Sequence, residues 1–84
     1  AIFYGRLYVL KYWTAMKNRL KVERAKQNMT QAELAAKVQV SRQTINSIEI
    51  GKYVPSTLLA LKIATVCNST VDEIFTLQDE DWVR

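Results

Sequence analysis

The sequence predicts a single all-α domain of five helices, with short β-strands at most in its N- and C-terminal segments. The length of 84 residues suits one domain. Two glycines and one proline provide few of the tight turns that a sandwich of strands needs. From Arg19 onward the apolar residues recur at helical spacing. These three observations together favour a compact helical domain.

Five helices are predicted in order, and local signals mark several of their ends. They cover residues 17–27, 31–38, 42–50, 57–66 and 71–75. Thr30 and Thr70 are each followed three residues later by glutamate, which is the pattern of a capping box at a helix start. Ser41 is a good N-cap for the third helix, and Gly51 suits a left-handed residue that ends it. Residues 75–78 are predicted to form a short edge strand.

The apolar positions of these helices predict the core. The inner positions of the second and third helices are Leu34, Ala35, Val38, Ile45 and Ile48. The fourth helix, 57–66, is the most apolar of the five, so we expect it to be the most buried. Cys67 follows it and is expected to be a small buried apolar residue rather than a nucleophile, because the sequence offers no histidine to activate it.

Composition excludes most enzyme classes. The chain has no histidine and one cysteine, so an intramolecular disulfide, a His/Cys zinc site and a histidine-based catalytic triad are all ruled out. The carboxylates fall at a helix start and in the tail, where they occur without catalysis. We therefore predict no enzymatic activity, no cofactor and no metal site. The net charge of +4 is compatible with a nucleic-acid partner but does not establish one.

The chain divides into an aromatic extension at 1–15, a helical body at 16–77 and an acidic tail at 78–84. Three interpretations of the extension stay open: a strand that pairs with another strand or subunit, a disordered or non-native leader, or an extension of the first helix. It is too short to span a membrane and carries two charges, Arg6 and Lys11. It also lacks the pattern of a signal peptide, so a cytoplasmic protein without membrane contact is expected.

The third helix has a polar outer face. Arg42, Gln43, Asn46 and Ser47 share it at positions i, i+1, i+4 and i+5. In a major groove, arginine pairs with guanine and glutamine or asparagine with adenine, and each good pair contributes roughly 1–3 kcal/mol of discrimination. By itself this pattern favours a solvated helix face, which most polar stripes are.

A longer motif favours the base-reading interpretation of this face over the solvated one. The segment from Thr30 to Gly51, TQAELAAKVQVSRQTINSIEIG, closely resembles the DNA-binding helix-turn-helix of the Xre/Cro family of phage and bacterial repressors. The match continues through Lys-Tyr, Pro-Ser, an apolar helix and Val-Asp-Glu-Ile-Phe, and covers about residues 16–77. The resemblance implies a lambda-repressor-like domain that binds a double-stranded DNA operator as a homodimer.

The resemblance also implies roles for single residues. The base-reading residues would be Arg42, Gln43, Asn46 and Ser47, and the phosphate-binding residues would be Gln31, Thr44, Lys52 and Tyr53. Arg24 and Glu49 match positions that form a buried ion pair in the family. The dimer interface is expected to involve the fifth helix, Phe75 and Leu77.

Two positions depart from the family pattern. Gln39 stands where a left-handed glycine is usual, so we expect about 1 kcal/mol of strain and a slightly altered turn. Ile50 stands where a polar residue near the phosphates is usual, so we expect an exposed apolar side chain there.

Two functions from different classes follow. The first is a sequence-specific transcriptional regulator of the repressor type, which reads an inverted repeat through residues 42–50. The alternative is an antitoxin-type interaction protein, which binds a protein partner through residues 1–15 or the tail and regulates its own operon.

Overall fold

The computed structural model describes residues 16–82, and the predictions that concern residues 1–15 lie outside this range. The described residues form strand β1 (Lys17–Asn18), helices α1 (Leu20–Lys26), α2 (Gln31–Val38), α3 (Arg42–Glu49), α4 (Thr57–Val66) and α5 (Val71–Ile74), strand β2 (Phe75–Thr76), and a 3₁₀ helix at Asp79–Trp82. The predicted fold class, five helices with short strands towards both ends, is confirmed.

The two strands join the beginning of the described chain to its end. They pair antiparallel, with Lys17 opposite Thr76 and Asn18 opposite Phe75. The prediction that the first helix starts at Lys17 is therefore wrong, because this residue is in the strand pair. The N-cap residue of α1 is Arg19, which makes no side-chain cap, but the side-chain oxygen of Asn18 accepts from the N–H of Leu20, the first residue of the helix, at 3.1 Å.

The helix starts follow the predicted side-chain chemistry. Thr30 Oγ1 accepts from the Glu33 N–H at 3.0 Å, and Glu33 Oε1 accepts from the Thr30 N–H at 2.8 Å. The same reciprocal pair occurs at Thr70, so both capping boxes are confirmed. The hydrogen bond from the Thr30 N–H lowers the pKa of the Glu33 carboxyl group. Ser41 caps α3 by accepting from the Thr44 N–H at 3.1 Å.

Helices α1 to α4 all end in the same kind of turn. The residue after each helix, or one position later, has a positive φ, and these residues are Asn28, Gln39, Gly51 and Asn68. At the end of α3, the N–H of Gly51 bonds to the carbonyl of Ile48 at 3.0 Å, and the N–H of Lys52 bonds to that of Ser47 at 2.9 Å. These two bonds define a Schellman motif, which satisfies the last carbonyls of the helix.

Gln39 adopts the left-handed conformation without the help of a glycine. Its φ is 64° and its ψ is 43°. Its N–H and that of Val40 bond to the carbonyls of Ala36 and Ala35 at 3.3 and 3.0 Å, so the Schellman pattern is complete. A residue with a Cβ in this conformation costs about 1 kcal/mol. The turn between α2 and α3 is thus left-handed, with the strain located at Gln39.

The core lies between α1, α2, α3, α4 and α5. Its fully buried side chains are Leu20, Leu34, Val38, Ile45, Ile48, Ile63, Cys67 and Ile74. The inner faces predicted for α2 and α3 are therefore confirmed, as is the burial of Cys67. Burial also raises the pKa of this thiol.

The prediction that α4 is the most buried helix is confirmed, because four of its ten residues are buried, the largest share among the five helices. This burial is confined to one face of α4. Leu59 and Ile63 enter the core, whereas Leu58 and Leu61 are 65% and 53% exposed. Because α4 packs through one face only, a helix that is apolar all round leaves leucines on the outside. Over residues 16–82, no helix has the length and hydropathy needed to cross a bilayer.

Candidate nucleic-acid interface

Helix α3 is fixed at its start, along its inner face and at its end. Ser41 caps its first turn, and Ile45 and Ile48 have no exposed surface. At the other end, Asn18 Nδ2 donates to the carbonyl oxygen of Ile48 at 2.8 Å. Asn18 was not predicted to have this role, because nothing in the sequence near it indicates a contact with a residue 30 positions later. The outer face of α3 is therefore presented to solvent on a rigid base.

The four residues expected to read bases lie together on that outer face. Arg42 and Gln43 are exposed, and Asn46 and Ser47 are partly exposed. These four side chains have the position and the exposure that are required of a helix inserted into a major groove.

An open groove of about 310 Å³ runs beside α3. It is lined by Ser41, Gln43, Thr44, Ser47, Lys52 and Tyr53. The main-chain N–H groups of Lys52 and Tyr53 both bond to the carbonyl of Ser47, at 2.9 and 3.2 Å, which ties the following loop to the helix. The groove thus brings two of the expected base-reading residues together with three of the expected phosphate-binding residues.

The groove is rich in groups that can donate to phosphate oxygens. They are the hydroxyls of Ser41 and Thr44, the ammonium of Lys52 and the phenol of Tyr53. The two hydroxyls share one hydrogen bond at 2.9 Å, so one of them remains free to donate. Ser41 was predicted only as a helix cap, and its position at the N-cap is the one signal that could have added it to the site. Ile50, next along the chain from α3, is 54% exposed, so the expected apolar side chain at this surface is present.

Arg24 and Glu49 form an ion pair beneath the interface. Arg24 Nε donates to Glu49 Oε2 at 2.7 Å and Arg24 Nη2 donates to Oε1 at 3.2 Å. The exposed fractions of the two side chains are 14% and 5%. Arg24 Nη1 also donates to the carbonyl of Met29 at 2.8 Å. The hydrogen bond to Glu49 raises the pKa of Arg24, and the pair links α1 to α3.

The side chain of Gln31 contacts protein rather than solvent. Its Nε2 donates to Asn46 Oδ1 at 3.1 Å and to Glu49 Oε1 at 3.0 Å. Both N–H bonds of the amide are therefore in use, and its remaining oxygen can only accept. Since a phosphate oxygen also only accepts, the side chain in this geometry offers nothing to a phosphate. The phosphate contact that the resemblance implies for this side chain stays a prediction, and sequence reasoning missed both of its partners within the protein.

The two residues expected at a dimer interface differ in exposure. Phe75 is 8% exposed and packs in the core of its own chain, whereas Leu77 is 61% exposed. Phe75 faces the core because it lies in β2 opposite Asn18 and follows the buried Ile74. Of the two, Leu77 is the residue whose side chain is available to a second subunit.

The carboxylate and cysteine side chains of the described residues do not cluster. Among residues 16–82, no group of three or more cysteine or carboxylate side chains is close enough to hold an ion.

Comparison with known proteins places this architecture in a family. The helix-turn-helix family model matches residues 20–74. An uncharacterized HTH-type transcriptional regulator of Methanocaldococcus jannaschii is 52% identical over 66 residues, which are 79% of this chain and 100% of that protein. A protein of the same description from Archaeoglobus fulgidus is also 52% identical, over 79% of this chain and 93% of its own. YgzD of Bacillus subtilis, likewise described as an uncharacterized HTH-type transcriptional regulator, is 44% identical over 66 residues and is covered completely.

A solved structure agrees with the sequence comparisons. The clp gene regulator ClgR of Corynebacterium glutamicum superposes with a TM-score of 0.61 at 26% identity, over 64% of this chain. The present chain spans 57% of that chain. The family match covers more than half of the sequence, and the relatives match along nearly their whole length. The chain therefore belongs to the Xre/Cro-type helix-turn-helix family of transcriptional regulators, with residues 20–74 as its DNA-binding domain.

Proposed function

We propose that this protein is a sequence-specific DNA-binding repressor that acts as a homodimer on an inverted-repeat operator. The observation that carries the proposal is the single groove beside α3, in which Gln43 and Ser47 adjoin Thr44, Lys52 and Tyr53. A surface that places base-reading and phosphate-binding groups side by side suits a DNA duplex, whose major groove is bordered by phosphates.

In this proposal the two classes of contact have separate tasks. Thr44, Lys52 and Tyr53, with the main-chain N–H of Gln31 at the start of α2, bind phosphates and fix the register of the protein on DNA. The outer face of α3 enters the major groove, where Arg42, Gln43, Asn46 and Ser47 reach base edges. Only the second set would select a sequence.

A homodimer would place two copies of α3 in successive major grooves, about 34 Å apart. Leu77 is proposed as part of the interface, because this exposed leucine follows the strand pair directly. Occupation of an operator by such a dimer would repress transcription by excluding other proteins from the same DNA.

A second candidate function is that of an antitoxin-type protein that binds a protein partner. The observation that favours it is the end of the described chain, where Trp82 is 74% exposed beside Asp79, Glu80 and Asp81. An exposed aromatic ring among acids is a suitable contact for a basic partner. Residues 1–15, the other proposed partner surface, lie outside the described residues.

The division of tasks predicts different results for Gln43→Ala and Lys52→Ala. On a duplex selected by the parent protein, Gln43→Ala should lower the preference over a random duplex by roughly 1–3 kcal/mol, because a base contact is lost. Lys52→Ala should weaken binding to both duplexes by a similar factor. It should also lower the slope of log affinity against log salt by about one. Fluorescence anisotropy titrations at several salt concentrations measure both quantities.

Lys62→Ala is the matched control for charge, since it removes the same charge from α4, where Lys62 contacts Gln39 on another surface. It should leave the salt slope nearly unchanged. If Gln43→Ala keeps the full preference of the parent for the selected duplex over the random duplex, the recognition face has been assigned wrongly.

A further inference from the structure

A continuous chain of hydrogen bonds runs from the buried ion pair to the outer face of α3. Arg24 donates to Glu49, Glu49 accepts from the amide of Gln31, and the same amide donates to Asn46. Asn46 is partly exposed and lies on the face proposed to read bases. The side chain of one recognition residue is thus connected, through Gln31, to a fixed charge inside the protein.

The donors and acceptors in this series of hydrogen bonds determine which way the amides of Gln31 and Asn46 are turned. Both oxygens of Glu49 accept hydrogen bonds from Arg24, so the atom of Gln31 that contacts Oε1 of this carboxylate is the donor, the amide nitrogen. This nitrogen can only donate, so the atom of Asn46 that it contacts, at 3.1 Å, is the oxygen. The amide nitrogen of Asn46 is therefore the atom directed away from Gln31.

We propose that Gln31 is a positioning residue that sets the base preference of Asn46. By holding Oδ1 of Asn46 towards α2, it leaves the two N–H bonds of that amide for the DNA. Asn46 would then select a base with an acceptor in the major groove, such as N7 or O6 of guanine or O4 of thymine. This inference rests on the proposed function, and it replaces the phosphate contact expected of the Gln31 side chain.

The hydrogen bond from Gln31 affects base preference because an asparagine amide without a partner can rotate. The terminal torsion of asparagine is broad and nearly two-fold, so a free Asn46 could present either its donors or its acceptor to a base. A residue that can turn to suit either kind of base edge discriminates poorly between them. One hydrogen bond that fixes the oxygen removes this choice.

The test compares base preferences at single operator positions. Parent, Asn46→Ala, Gln31→Leu and the double variant are each used to select bound duplexes from a random library. Asn46→Ala identifies the position that Asn46 reads. We expect Gln31→Leu to lower the preference at that same position by about five- to tenfold and to preserve the other positions, with no further loss in the double variant. Thermal unfolding checks that each variant is folded.

Gln78→Leu is the matched control, because Gln78 is partly exposed and, among residues 16–82, its side-chain amide donates to the carbonyl of Leu77, its own neighbour in the chain. It should keep the parent profile. A Gln31→Leu profile identical to that of the parent would overturn the inference. So would an equal loss of affinity for all duplexes at an unchanged salt slope, which would identify Gln31 as an uncharged phosphate contact. If the parent itself enriched no site, the proposed function would fail and this inference with it.

A second variant tests the direction of the amide without removing it. Asn46→Asp keeps an oxygen for Gln31 and replaces the outward donor by an acceptor. The preferred base at the Asn46 position should change to one with a donor, such as cytosine through its N4 amino group. An unchanged preferred base would contradict the orientation proposed for Asn46.

Discussion

Replacing Ile48 by alanine is expected to lower the free energy of unfolding by roughly 2–5 kcal/mol. Ile48 has no exposed surface and packs the inner face of α3 against the core. Truncation removes buried apolar surface and leaves a cavity that surrounding side chains fill only in part. A domain of this size has only about 5–15 kcal/mol of stability in total, so the loss is a large fraction of it. Urea unfolding followed by circular dichroism measures the change.

Ile50 provides a control of the same residue type, two positions later in the chain. It is 54% exposed, so Ile50→Ala should change the stability by no more than about 0.5 kcal/mol. Equal effects of the two substitutions would mean that α3 does not face the core through Ile48.

Replacing Glu49 by alanine should be about as damaging, for an electrostatic reason. The side chain of Arg24 is 14% exposed and would lose a bidentate carboxylate, while the amide of Gln31 would lose an acceptor. Removal of one partner from a buried ion pair typically costs about 3–5 kcal/mol, because the other charge remains without compensation. The same urea titration measures this loss.

Two comparisons separate that explanation from a general effect of the substitution. The double variant Arg24→Met, Glu49→Leu should be more stable than Glu49→Ala, since it removes both charges and keeps apolar volume. Glu80→Ala removes the same side chain from an exposed position near the end of the described residues, and should change the stability by no more than about 0.5 kcal/mol. A Glu49→Ala variant that is no less stable than Glu80→Ala would contradict the assigned role of the buried pair.

The features that could be predicted from the sequence depend on neighbouring residues. Thr30 and Glu33 are three positions apart, so their reciprocal hydrogen bonds can be predicted from the local sequence alone. The same is true of Ser41 before α3 and of the left-handed Gly51 after it. The spacing of Ile45 and Ile48 likewise identifies the inner face of α3.

The features that sequence reasoning missed depend on contacts between distant residues. Asn18 bonds to a carbonyl 30 positions away, and Gln31 bonds to residues 15 and 18 positions away. No local pattern indicates such partners. Helix α4 shows a different limit: because it is apolar on nearly every side, its sequence could not tell that Leu58 would be exposed and Leu59 buried.

The central claim is that the protein binds a specific DNA sequence as a dimer, through the surface around α3. One measurement tests this claim most directly. The parent protein selects duplexes from a random library at moderate salt, and the bound molecules are sequenced. The account predicts an enriched inverted repeat whose half-sites are centred about 10–10.5 base pairs apart, one helical turn. Salt-sensitive binding without any enriched sequence would contradict it and would favour a protein that acts through a protein partner.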